Sequence, residues 1–213
     1  DISKWDISKV TNMNYMLRQA TSFTCHLSGV LWVKSKASKI KMLSGSAGTL
    51  CTAAFTSKTA FKRAVAGCLR LSLKGDCFSG PHGPIGEWDV SSITNMEKMF
   101  DGARLFNGDI SKWDMSRVNT MSAMFQGAIS FNVDLLKWDV SSVVEISAMF
   151  AGATSFNGDI SNWDVSSVKD MSSMFLGAQM FNGDLSKWDV SSVTAMPAMF
   201  RLTASFDCDI SKW

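Results

Sequence analysis

Two columns of aspartates recur along this chain at intervals of 25 residues: Asp89, Asp114, Asp139, Asp164 and Asp189, and then Asp109, Asp134, Asp159, Asp184 and Asp209. Carboxylates stacked at a fixed spacing suggest cation binding, because Ca²⁺ takes several oxygen ligands and can bridge successive members. On strands about 4.8 Å apart, like charges repel by about 0.9 kcal/mol per pair in water. Lys112, Lys137 and Lys187, with Asn162 in the same column, stand two residues before aspartates of the first column. Alternating Lys and Asp columns neutralise each other directly, so a solvated ion-pair lattice is expected in preference to a calcium ladder, and no metal is assigned. The second column often follows Asn-Gly, as at Asn157-Gly158-Asp159, and is expected to cap a turn. The candidate binding face is therefore Lys112, Asp114, Lys137, Asp139, Asn162, Asp164, Lys187 and Asp189.

Nucleophilic and redox chemistry have little to draw on. The chain has two histidines, His26 and His82, and neither sits in the regular 25-residue pattern. Serines are plentiful but have no histidine at hand to activate them. There is no glycine-rich phosphate loop, paired-cysteine zinc spacing or zincin motif. The five cysteines (Cys25, Cys51, Cys68, Cys77 and Cys208) are odd in number and follow no framework spacing, so free thiols are expected. No catalytic residue and no cofactor is assigned.

The elements that position the aspartates are set by the same beat. Trp88, Trp113, Trp138, Trp163, Trp188 and Trp213 are each 25 residues apart, the mark of a repeat architecture. Ile110, Trp113 and Met115 have the spacing apolar-x-x-apolar-x-apolar, read as a short strand with Trp113 and Met115 inward. Met121, Met124, Phe125 and Ala128 fall at i, i+3, i+4 and i+7, read as one face of a short helix. Asn95, Thr120 and Asp170 suit its N-cap, Pro197 its first turn, and Gly102, Gly127, Gly152 and Gly177 its end. Two phenylalanine columns, Phe100 to Phe200 and Phe106 to Phe206, are expected to form ladders inside the stack. The expected fold is an α/β repeat solenoid, leucine-rich-repeat-like, with one short parallel strand and one short helix per 25-residue turn.

Units such as FNGDISNWDVSSVKDMSSMFLGAQM closely resemble the BspA-like leucine-rich repeat family in its DUF285 branch, over residues 1–28 and 87–213. That resemblance implies a cell-surface or extracellular location and a role in adhesion or binding. It carries over no catalytic residue.

The beat is interrupted once. Residues 1–28 hold one partial unit, Val30 stands where the next tryptophan is due, and the pattern resumes at Glu87-Trp88. Deleting residues 29–86 restores the 25-residue register. This segment carries nine Lys or Arg and one acid (Asp76), a formal charge of +8, leaving −6 for the rest of a chain whose total is +2. It is read as an atypical basic insert, poorly ordered or mistranslated, ahead of the regular array 87–213. Within it, Phe61, Ala64, Val65, Cys68 and Leu69 have helical spacing with basic residues nearby, a pattern able to lie on an anionic surface. The chain, which shows no targeting signal and no transmembrane segment, is read as a window of a longer protein.

The resulting expectation is a non-enzymatic scaffold whose Lys/Asp face meets a protein or glycan partner, with no nucleic-acid role for the array. The alternative is a structural spacer with no ligand. Oligomeric state is left open.

Overall fold

The computed structural model describes residues 2, 5–23, 26–27, 32, 35–46, 49–50, 55–77 and 82–213, without the side chains of His26, Thr49 and Leu50. Cys25 and Cys51 lie outside these residues.

The expectation of an α/β leucine-rich-repeat-like solenoid is overturned. Among the described residues of the array 87–213 there is no α-helix and no strand longer than a single-residue bridge, and the one three-residue 3₁₀ turn (Ile85–Glu87) only borders it. A 14-residue α-helix, α1 (Lys58–Leu71), lies in the atypical segment. Among the described residues the paired strands are β1 (His26–Leu27), in the partial first unit, and β2 (Thr49–Leu50), in the atypical segment, two residues each and parallel.

The physical reason lies in the backbone of each unit. Lys98, Ala123, Ala148, Ser173 and Ala198, at one column of the repeat, have φ between 52° and 57°. An α-helix needs φ near −63° at every residue, so this column breaks the helix that the apolar spacing suggests. Alternate amides point out of the unit instead. The N–H groups of Met121, Ala123, Phe125 and Gly127 donate to the carbonyls of Glu145, Ser147, Met149 and Ala151 in the next unit, at 2.7–2.9 Å. The amides between them close local turns, as Met124 N–H does on Met121 C=O at 3.0 Å. Asn95, Thr120 and Asp170 do cap, but they cap turns. Asp170 Oδ1 accepts from the Ser172 amide at 2.7 Å, and Asn95 Oδ1 from Glu97 at 2.9 Å. Pro197 stands in the Ser172 column, whose amide takes no part in joining units, so its missing donor costs nothing there. The expected strand is likewise a turn, with Trp113 N–H donating to Ile110 C=O at 3.1 Å.

Side-chain packing follows the period closely. Phe100, Phe125, Phe150, Phe175 and Phe200 stack with centroids 5.4–5.7 Å apart, and Phe106 through Phe206 form a second ladder beside them. Rungs join the two, with Phe125 and Phe131 at 3.9 Å. Each tryptophan from Trp113 onward donates its indole N–H to a carbonyl 28 residues back, for example Trp163 Nε1 to Leu135 C=O at 3.0 Å. Inside the low-dielectric core such a bond satisfies an otherwise stranded donor.

A second, separate core gathers Ile7, Met13, Leu27, Trp32, Ala37 and Met42. There Met13, Tyr15, Leu17 and Gln19 donate to Ser38, Ile40, Met42 and Ser44 at 2.7–3.1 Å, the same alternating pattern. Residues 35–46, inside the atypical segment, thus pair with the first unit in the way that array units pair with one another.

α1 is capped by Ser57, whose Oγ accepts from the Ala60 amide at 3.3 Å, and Arg70 in its last turn complements the helix dipole. Its apolar face is Phe61, Ala64, Val65 and Cys68, all buried. That face packs on the array, with Phe61 against Trp88 and Trp113, so it is occupied by protein. The expectation of free thiols is corrected here: Cys68 and Cys77 form a disulfide, while Cys208 is free.

Candidate functional site

Each aspartate of the candidate face is held by the serine two residues on. Asp139 Oδ1 accepts from the Ser141 amide at 3.1 Å and from its hydroxyl at 2.6 Å. Asp114 with Ser116, and Asp164 with Ser166, repeat the arrangement, and Asp189 accepts the Ser191 amide at 3.0 Å. These are Asx turns, in which a short carboxylate stands in for a backbone acceptor. In the second column Asp109 on Ser111 and Asp184 on Ser186 do the same, whereas Asp134, with Leu136 two residues on, accepts the Asp159 amide of the next unit at 3.0 Å. Apart from Asp134, members of both columns therefore cap turns, although only the second column was expected to.

The serine hydrogen bonds favour the ionised form and hold the carboxyls of Asp109, Asp139, Asp184 and Asp189 below the usual aspartate value, with the Ser hydroxyl as the leading cause. The hydroxyl and amide donors thus stabilise each carboxylate in its charged form.

Lys112, Lys137, Asn162 and Lys187 are all exposed, as are Asp114, Asp139, Asp164 and Asp189. The structure thus sets the eight residues in two solvent-facing rows. It does not link them as an ion-pair lattice. Lys112 pairs instead with Glu87, at 3.8 Å, and Lys58 of α1 with Glu97, at 3.1 Å. Among the described residues no three His, Cys, Asp or Glu side chains gather as a metal site. A third row lies alongside: Asn107, Asn132, Asn157 and Asn182 each accept, through Oδ1, the amide of the residue 25 positions on, at 2.8–2.9 Å. The asparagines of the Phe-Asn pairs were the only sequence signal for this ladder.

Two further concavities were not foreseen. One, of about 350 Å³, lies where Lys74 and Asp76 meet Glu87, Asp109 and Lys112 at the start of the array. The other, of about 440 Å³, runs along α1. No helix among the described residues is long and apolar enough to cross a membrane.

The family model described as "Mycoplasma protein of unknown function, DUF285" matches residues 1–63, 75–179 and 158–213. No curated protein and no solved structure matches the chain.

Proposed function

We propose a binding role for a chain that belongs to the family described as Mycoplasma protein of unknown function, DUF285. In this reading the array is a non-enzymatic scaffold that presents its Lys/Asn and Asp rows to a protein or glycan partner at a cell surface. One observation carries it: chemically equivalent donors and acceptors are exposed at the same position of successive units, from Lys112 and Asp114 to Lys187 and Asp189. A ligand with a repeating structure of its own meets the same contacts many times, and avidity then compensates for weak single contacts. Two further points support the surface location. The Cys68–Cys77 disulfide suits an oxidising compartment, and the unit text is similar to that of BspA-like surface proteins.

The deciding experiment is a glycan and extracellular-protein array probed with the labelled full chain and with Lys112→Glu/Lys137→Glu/Lys187→Glu. Saturable capture of one ligand class, lost in the triple variant, supports the reading. A folded chain that captures nothing on either array overturns it and leaves the structural spacer, a role favoured by how little the row Lys112, Lys137, Asn162, Lys187 varies.

A further inference from the structure

Between α1 and the stretch from His82 to Trp88 runs the groove of about 440 Å³. Ala64, Cys68 and Trp88 form its buried floor, and Leu71 at its edge is 63% exposed. The volume is within the range that holds small organic ligands. The Cys68–Cys77 disulfide is one wall, so that side of the groove is held by a covalent bond before any ligand arrives. Pre-formed walls lower the ordering cost of binding.

Gly67 sits in the middle of this face of α1. Glycine in a helix interior costs about 0.5–1 kcal/mol relative to alanine. Nothing nearby demands it, since a Cβ at that position would meet only the Arg70 guanidinium, at 3.9 Å. What the absent side chain leaves is room in the groove. The rim is cationic, with Arg63 and Arg70 both exposed, and no carboxylate lines the groove among the described residues. Asp76, the single acid between residues 29 and 86, lines the other concavity instead. The family model passes over residues 64–74, where Gly67, Cys68 and Arg70 lie.

We infer that this groove binds a small aromatic carboxylate. Its ring fits the space over Gly67 against Ala64 and Leu71, and its carboxylate pairs with the guanidinium rim of Arg63 and Arg70. Arginine is suited to both tasks, pairing with carboxylate in bidentate fashion and covering an aromatic face. The site is independent of the array's Lys/Asp rows.

The test is isothermal titration of the full-length, oxidised chain with sodium 2-naphthoate, and with 2-naphthamide as the uncharged counterpart. One site per chain with a Kd below about 1 mM is expected, as befits a ligand of this size. The amide, and the Arg63→Gln/Arg70→Gln variant with naphthoate, should each bind at least about tenfold more weakly. Gly67→Leu should abolish binding while far-UV circular dichroism shows α1 retained. If that variant loses its helix, the exposed arginine pair decides the matter alone. No saturation by naphthoate up to about 10 mM, equal binding of the amide, or unchanged affinity in the arginine variant or in a folded Gly67→Leu variant would overturn the assignment.

Discussion

Phe61 of α1 stands edge-on to Trp113 of the array, their ring centroids 5.4 Å apart and their planes at 65°. Through this contact, and that of Phe61 with Trp88, α1 is part of the same hydrophobic core as the repeats. Phe61→Ala is accordingly expected to cost about 3–5 kcal/mol in urea unfolding of the whole chain. A loss below about 1 kcal/mol would mean that α1 is not seated on the array.

Removing the disulfide should loosen the same junction. Cys68 and Cys77 close a short loop, for which chain-entropy reasoning gives about 2–4 kcal/mol. Cys68→Ala/Cys77→Ala should lower the unfolding midpoint by a matching amount, and non-reducing peptide mapping of the parent chain should recover the Cys68–Cys77 linked pair. Recovery of both as free thiols would count against it.

Much of this arrangement was legible in the sequence, but not all. Burial follows the period, so Trp113, Met121, Phe125 and Phe131 could be assigned inward from spacing alone, and they are buried. The backbone that carries them could not be read the same way. An apolar pattern at i, i+3, i+4, i+7 is produced equally by a short helix and by a run of turns whose alternate amides leave the unit. The residues that decide between them, Ala123, Ala148 and Ser173, adopt left-handed φ without being glycine or asparagine, so their types give no warning. The first aspartate column was misread for a related reason: with strands assumed, Asp114 seemed to face Lys112 across a flat surface, whereas it turns back onto Ser116. Cys68 and Cys77 escaped notice because a disulfide depends on how α1 folds over the segment that follows it.

Leu202 occupies the column of Gly102, Gly127, Gly152 and Gly177 and shares their left-handed backbone, with φ of 62°. A Cβ there costs about 1–2 kcal/mol. Leu202→Gly should therefore stabilise the chain by about 1 kcal/mol, since this leucine is 70% exposed and its side chain contributes little burial. Gly152→Ala should destabilise by a similar amount, because the only new contacts, near Gly127 at 3.7 Å, are ordinary. Thermal unfolding of both variants checks the pair of signs. Opposite signs to these would contradict the backbone described.

Acid should weaken the array. The folded-state pKa values of Asp109, Asp139, Asp184 and Asp189 lie below the unfolded value of about 3.9. Their contribution to stability is thus present above that value and is lost as pH falls through the lower, folded value. The melting temperature should be flat from neutral pH to about pH 5 and decline below about pH 4. Ser141→Ala, which removes the leading donor to Asp139, should raise that carboxyl's pKa in a carbon-detected NMR titration. An unchanged Asp139 titration would contradict the Asx turn.

The exposed rows exist only if the units are joined by alternate amides rather than coiled into helices. Trans-hydrogen-bond scalar couplings measure this directly. The amide nitrogen of Phe125, which donates to Met149 C=O at 2.9 Å, should couple to the Met149 carbonyl carbon, and that of Ala123 to Ser147. A coupling from Phe125 to the Met121 carbonyl, four residues back within its own unit, would instead show a helix and contradict the account.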